Sequence, residues 1–318
     1  MRYKQKLKQI EKENIENADL IRKIRQNRKH KSRMKTYKGR VIKAVASKFF
    51  VDTDEGVKVC FARKRLKNDG LIYVGDYVEI AKERDSFVIE NVEPRKNRLI
   101  RPYVSNVDVC FIVIAPEPEP DFLLVDKIIV NCLVEGIEPV LVKNKCDVKA
   151  IDTSEYDGIV KQIECSAQTG ENVKKIVDCG KGKTACFAGQ SAVGKSSLLN
   201  NILDCDLLEV GELAKKIKRG KNTTRKTEIF HIGDSTYFVD TCGFSMLETV
   251  DVAPENLRLY FDDLEAFRKE CRFNMCAHID EPDCAVKAHV GKEIGEGRYE
   301  RYKTIYQELV ERKEKQYD

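Results

Sequence analysis

Gly189-Gln190-Ser191-Ala192-Val193-Gly194-Lys195-Ser196 fits the spacing G-x-x-x-x-G-K-[ST], and those residue types suit phosphate binding. Gly189 and Gly194 let the backbone curl so that successive N–H groups converge on phosphate oxygens. A helix beginning at Ser196 and Ser197 adds partial positive charge at its N-terminus. Lys195 is spaced to reach β- and γ-phosphates, and the Ser196 hydroxyl to ligate Mg²⁺. The motif has meaning only between a strand and a helix. Lys183–Ala188 reads as a short buried strand and Ser196–Leu203 as the start of a helix, so the context is right.

The base is chosen elsewhere. Asn144-Lys145-Cys146-Asp147 fits N-K-x-D and follows the apolar run that ends at Val142. A carboxylate such as Asp147 accepts two hydrogen bonds from the N1 and N2 hydrogens of guanine. Adenine offers no such pair, so a carboxylate facing it would be left unsatisfied. Asn144 would bind the Hoogsteen edge of the base and hold neighbouring loops, and the Lys145 stem would cover one face. Ser166-Ala167, after Cys165, suit a loop whose backbone N–H contacts the guanine carbonyl. Asp240-Thr241-Cys242-Gly243 fits D-x-x-G. There Asp240 would reach Mg²⁺ through water and the Gly243 N–H would reach the γ-phosphate. Between the phosphate loop and Asp240 lies Gly220-Lys221-Asn222-Thr223-Thr224, where a threonine, Thr224 in the first instance, would complete the Mg²⁺ shell.

These strings must be positioned by strands and helices, and from Val107 onward the pattern supplies both. Strands are predicted at Val107–Ala115, Pro139–Val142, Ile159–Cys165 and Lys183–Ala188. Helices are predicted at Asp121–Glu135 and Glu171–Asp178, and a hairpin joins Lys226–Ile232 to Thr236–Val239. This is α/β: a mostly parallel sheet with helices on both faces. The order is unusual, because N-K-x-D and S-A precede the phosphate loop and D-x-x-G comes last. The arrangement resembles the circularly permuted GTPases. Whatever follows Gly243 is then tied directly to the segment that responds to γ-phosphate.

The flanks have a different composition. Residues 1–36 hold thirteen Lys/Arg and four Asp/Glu; taking those from the chain's 57 and 52 leaves 44 basic against 48 acidic. A basic arm on a near-neutral body favours a polyanionic partner. From Tyr37 to about Asn97, five short alternating runs separated by turn signals predict a small closed barrel of the OB type, with an SH3-like barrel as the alternative. Lys43, Lys48, Lys58, Arg63, Lys64, Arg65 and Lys67 would supply phosphate contacts. Phe49, Phe50 and Phe61 are candidates for base stacking or for the core. At the other end, Cys271-x4-Cys276-x-His278-x5-Cys284 offers three thiolates and an imidazole, a donor set that suits a closed structural Zn²⁺ site. His289 is the rival histidine. The chain's twelve cysteines, with no signal peptide and no apolar run of membrane length, predict a reducing cytoplasm.

A small basic barrel, a permuted GTPase and this Cys/His string together resemble the RsgA family of small ribosomal subunit biogenesis GTPases. Arg101-Pro102-Tyr103-Val104-Ser105-Asn106-Val107-Asp108 and Glu281-Pro282-Asp283-Cys284-Ala285-Val286 also look like family strings. The resemblance covers about residues 37–300. Together with the basic arm over residues 1–36, read from its charge, this divides the chain into an OB-fold-like barrel over 37–98, a circularly permuted P-loop GTPase domain over 99–248 and a helical zinc-binding domain over 249–318. It further implies GTP/GDP, Mg²⁺ and one Zn²⁺. The implied partners are the small subunit and its rRNA, with the chain acting as a monomer. One departure matters: Asn222 stands where the family usually carries a histidine suspected in hydrolysis, and Phe244 where Ras-like enzymes carry a water-orienting glutamine. Slow intrinsic hydrolysis, accelerated on the subunit, is therefore expected. A GTP-gated RNA-binding module and a permuted GTPase of the large subunit are the competing readings.

Overall fold

The structure is a computed structural model that describes residues 35–315 apart from 64–65, 67–71, 84, 100–102, 211–226 and 241–251. The arm over residues 1–34, Asn222, Thr223, Thr224 and Gly243 therefore lie outside the described residues, as do Phe244, Lys64, Arg65 and Lys67.

The N-terminal strands are β1 (Thr36–Val45), β2 (Lys48–Thr53), β3 (Lys58–Ala62), β4 (Tyr77–Glu83) and β5 (Ser86–Val92). They run in the order β1-β2-β3-β5-β4, and β4 pairs back onto β1, so the sheet closes. Strands β3 and β5 are parallel and the other neighbours antiparallel. This is the five-stranded Greek-key order of an OB barrel. Alternation places Val41, Val51, Cys60, Val78, Ile80 and Ile89 inside, with Phe49 packed against them. Phe61 points outward, 39% exposed, opposite Lys48 on β2. Phe49 thus belongs to the core and Phe61 to the surface, with Phe50 half-buried.

After a short ribbon of β6 (Arg98–Leu99) and β7 (Val104–Ser105), the parallel sheet begins. Its elements are β8 (Val109–Ile114), α1 (Phe122–Val134), β9 (Glu138–Lys143), β10 (Lys161–Glu164), α2 (Val173–Gly180), β11 (Thr184–Ala188), α3 (Lys195–Val210), β12 (Glu228–His231) and β13 (Tyr237–Asp240). The strand order is β10-β9-β8-β11-β13-β12. The first five are parallel and β12 is antiparallel. Strands β8 and β11 are buried on both faces, which is why they read as unbroken apolar runs. One face carries Ile112, Ile114, Leu141 and Cys186 against Val125, Ile128 and Ile129 of α1. The other carries Phe111, Phe187 and Phe238 against Ile176 of α2 and Leu198, Leu199 and Ile202 of α3. The strand predicted over Ile159–Cys165 is shorter. Ile159 and Val160 are drawn into a turn by hydrogen bonds to the Tyr156 carbonyl.

The periodicity did not reveal how the barrel and the parallel sheet are joined. Lys43 of β1 pairs with Glu228 of β12, and the two side chains form an ion pair at 2.8 Å. Barrel and sheet therefore form one ladder of eleven strands. Beside this junction the buried Arg40 guanidinium lies between the rings of Tyr77 and Tyr237, 5.1 and 4.5 Å away. That is a cation–π sandwich.

The C-terminal part is helical: a 3₁₀ turn at Pro254–Tyr260, α4 (Asp262–Glu265), α5 (Ala285–His289) and α6 (Glu296–Glu314). Tyr299, Tyr302, Ile305 and Leu309 recur at helical spacing and pack with Leu257, Phe261 and Val130 of α1. A buried ionic latch fixes α6 to α1. Asp126 receives Arg298 on one oxygen and Arg301 at 2.5 Å on the other, and the Tyr156 hydroxyl donates to it at 2.8 Å. Arg298 also reaches Asp263 at 3.0 Å, and Arg301 reaches Glu155 at 3.0 Å. Burial raises the Asp126 carboxyl, and the two guanidiniums oppose that shift. Removing one partner of such a cluster leaves an uncompensated buried charge. Asp126→Ala is accordingly expected to lower stability by about 3–5 kcal/mol, read as a shift of the urea midpoint. A change within 0.5 kcal/mol, the usual effect of a surface substitution, would show that the latch carries no such weight.

Candidate nucleotide site and metal centre

The carboxyl ends of β8, β9, β10, β11 and β13 lie along one edge of the sheet, where open α/β sheets place their ligands. Three of the sequence strings follow directly from β9, β10 and β11. Asp240, the last residue of β13, lies one step beyond the Cys186–Val239 pair and so beside the end of β11. The fold thus gathers at one edge what the sequence spreads over about a hundred residues.

The phosphate loop turns sharply out of β11. Gly189 has φ of 121° and Gly194 of 96°, values an L side chain rarely adopts. Space is as restrictive as torsion. A Cβ on Gly189 would lie 2.2 Å from the Val113 carbonyl oxygen, and one on Gly194 would lie 2.3 Å from Asn144 Nδ2. Helix α3 begins at Lys195, and the Leu198 N–H donates to the Gly194 carbonyl at 2.9 Å. The amides before it have no intrahelical acceptor. Val193 is buried, whereas Ser191, Ala192, Ser196 and Ser197 are exposed at the mouth. Lys195 rests on the loop itself: its Nζ donates to the Gly189 carbonyl at 2.8 Å and to that of Gln190. Burial lowers its pKa, so the ammonium is poised for a stronger anionic partner.

Asn144 joins three strings. It is 2% exposed. Its Nδ2 donates to the Val193 carbonyl at 2.8 Å, its Oδ1 accepts from the Ala167 N–H at 2.9 Å, and its own N–H donates to the Ile114 carbonyl at 2.9 Å. Of the two tasks read from the sequence, holding loops is the one these bonds perform. Lys145 adopts φ of 63° and donates to the Glu117 carbonyl at 2.6 Å. Cys146 is half-buried beside it, and Asp147 is exposed on the turn that follows. The buried Ser166 accepts from the Gln168 and Thr169 amides at 3.2 Å, which fixes the loop containing Ala167. Asn201 of α3 donates to the Ala167 carbonyl. That last contact was not legible in the sequence, because an asparagine seven residues beyond a phosphate loop has no distinguishing pattern.

Away from this edge, Cys271, Cys276, His278 and Cys284 converge, with all four ligand atoms within 4.8 Å of one another. Cys271 Sγ lies 3.9 Å from Cys284 Sγ and 3.7 Å from His278 Nδ1, and Cys284 Sγ lies 3.4 Å from that nitrogen. A tetrahedron with zinc–sulfur bonds of ~2.3 Å has edges near 3.8 Å, so the donor set fits Zn²⁺. His278 takes φ of 63° to turn its ring inward. Glu281 accepts from the Ala277 and Ile279 amides on either side, at 2.5 and 3.0 Å. Tyr299 and Tyr302 of α6 donate to the carbonyls of His278 and Ala277. Burial pushes the Cys276 thiol up to about 12, a penalty that a bound cation reverses. The rival His289 lies outside the cluster, stacked on Phe267 at 3.9 Å and bonded to Glu293 at 2.8 Å.

Comparison with known proteins bears on the same edge. Residues 92–250 match the RsgA GTPase family. The protein named small ribosomal subunit biogenesis GTPase RsgA from Caldanaerobacter subterraneus subsp. tengcongensis is 39% identical over 295 residues, covering 89% of this chain and 99% of that protein. The one of the same name from Thermotoga maritima is 39% identical over 277 residues, covering 83% and 93%. Among solved structures, YjeQ from Thermotoga maritima superposes with a TM-score of 0.72 at 34% identity, covering 87% of this chain and 99% of that one. YloQ, described as a circularly permuted GTPase, gives 0.71 at 28% identity, covering 87% and 96%.

Proposed function

The chain belongs to the RsgA GTPase family, and from that premise we propose how its residues carry out a GTP hydrolysis coupled to the small ribosomal subunit. It is a GTP hydrolase of small ribosomal subunit biogenesis. GTP enters at the carboxyl edge of the sheet. Asp147 accepts from the guanine N1 and N2 hydrogens, the Lys145 stem lies against the base, and the Ala167 loop faces the guanine carbonyl. The backbone of Gln190 to Gly194 and the first turn of α3 bind the phosphates. Lys195 turns toward the β- and γ-phosphates and gives up at least one of its two carbonyl partners, Gly189 and Gln190. Ser196 and Thr224 would hold Mg²⁺, with Asp240 behind, and the ion would supply neutralisation of phosphate charge. By their places in the sequence strings, Thr223 and the Gly243 amide would contribute to the γ-phosphate surroundings, and Asn222 occupies the sequence position of the family's suspected histidine.

The observation that carries this reading is the gathering of Asn144, Ala167, Val193 and Gly194 at one edge by three hydrogen-bonded loops. Cys271, Cys276, His278 and Cys284 would hold the structural Zn²⁺. The barrel, with exposed Phe61 and Lys48 on β2–β3, faces rRNA. No helix among the described residues is long and apolar enough to cross a membrane, and the cytoplasm is the proposed compartment, with the chain a monomer.

Single-turnover hydrolysis of GTP, measured alone and with each purified ribosomal subunit, tests the coupling. Neither Asn222 nor Phe244 is a familiar water-positioning group, so the isolated chain is expected to be slow. The small subunit should raise its rate by about 10³-fold or more, the size of effect that a catalytic group supplied in trans gives. Stimulation by the large subunit alone, or by neither, would reject the proposal.

A further inference from the structure

The phosphate-loop motif asks nothing of the side chain at Gln190, yet both ends of its amide are engaged. Oε1 accepts from the Asp121 N–H at 3.0 Å, and the Nε2 hydrogens donate to the Glu119 carbonyl at 3.1 Å. These partners lie in the stretch between β8 and α1, whose last residue also caps α1: Asp121 Oδ1 accepts from the Leu124 N–H at 2.9 Å. The same stretch is held from the other side by Lys145, through the Glu117 carbonyl at 2.6 Å. Asn144, next to Lys145, donates to Val193 in the phosphate loop. Gln190, residues 117–121, Lys145, Asn144 and Val193 therefore form a closed ring of main-chain and side-chain links around the mouth.

We propose that Gln190 is a positioning residue for nucleotide binding, a clasp that ties the phosphate loop to the guanine-reading loop through residues 117–121. The inference rests on the nucleotide site proposed above. Its physical basis is the position of Lys195. That ammonium holds the Gly189 and Gln190 carbonyls, and with three N–H donors it must give up at least one of them to serve both a β- and a γ-phosphate oxygen. When it does so, the start of the loop loses an anchor. The two bonds from the Gln190 side chain do not involve Lys195, so they remain and keep the loop entrance in register. They also pass any displacement of the phosphate loop to the Glu117 carbonyl and hence to Lys145, against the base.

The clasp is tested with full-length chain carrying Gln190→Met, which keeps length and removes both polar ends. Because Gln190 is only half-buried, the variant should fold. Two neutral hydrogen bonds correspond to about tenfold in affinity. GTP and GDP should each bind about tenfold more weakly, and KM for GTP should rise while kcat falls by a smaller factor. The variant without nucleotide should still be fully folded at the temperature of the titration, as read from its unfolding midpoint, so that weaker binding reports positioning and not a loss of folded protein. Combined with Lys145→Met, which keeps the stem and removes its bond to Glu117, the double variant should lose less than the product of the two single losses. Affinities within twofold of the parent, or strictly multiplicative losses, would overturn the clasp. Lys195→Ala serves as the separate control. If it binds GTP normally, the site itself is wrong. If it loses GTP while Gln190→Met does not, only the clasp fails.

Discussion

Lys195→Ala is expected to reduce the rate of GTP hydrolysis about 10²–10³-fold, the usual loss when one preorganised charge donor is taken from developing negative charge. The ammonium sits at the first turn of α3, within 2.8 Å of a loop carbonyl, and burial already disfavours its charge. A triphosphate relieves that penalty by replacing neutral carbonyls with anionic oxygens. The substitution removes this gain and leaves the Gly189 and Gln190 carbonyls without their donor. Binding of the triphosphate should therefore fall as well as turnover. Equilibrium titration and single-turnover hydrolysis read the two separately; normal values of both would reject the phosphate loop as the site of chemistry.

Loss of the metal should have the largest effect on stability. About one equivalent of zinc per chain is expected to survive dialysis, and Cys276→Ser should abolish that retention. Structural zinc supplies about 10–16 kcal/mol of apparent binding free energy in small finger peptides, so a cost of several kcal/mol is expected here. The loss should be local. The knuckle depends on Cys271, Cys276, His278 and Cys284, whereas α6 is also held by Arg298 and Arg301 on Asp126. Chelation should therefore speed amide exchange over residues 268–289 before it releases α6. A metal-free chain that is as stable as the parent, and indifferent to chelator, would refute the zinc site.

Most of what positions the chemistry was legible in the sequence because it lies in short local strings. Glycines at 189 and 194, the lysine between helix and loop, and the N-K-x-D run each state a local geometric need. Five alternating runs separated by turns marked the barrel, and unbroken apolar runs marked strands buried on two faces. What stayed hidden depends on distant partners. Nothing beside Asp126 in the helix marks it as buried; its reason is Arg298 and Arg301, far along the chain. Among the described residues the β1–β12 ladder shows one residue pair, Lys43 with Glu228, which leaves no periodic trace. Gln190 was read only as one residue of the phosphate loop, because the partners of its side chain are backbone atoms at 119 and 121. His278 was the expected ligand with His289 as its rival, and the backbone turn at His278 together with the stacking of His289 on Phe267 decides between them.

The strand order has a consequence for how the chain is made. Synthesis proceeds from the N-terminus, and domains tend to fold as they emerge. The barrel closes within its own strands, so it can be complete early. The guanine-reading half is different: β8, β9 and β10 leave the ribosome before β11, yet β11 pairs directly against β8. Until Thr184–Ala188 appears, β8 presents a bare, wholly apolar margin of the kind that invites mispairing. A nascent chain that ends before Thr184 exposes that margin, and the nucleotide cleft cannot be complete until Asp240 at the end of β13 has been made.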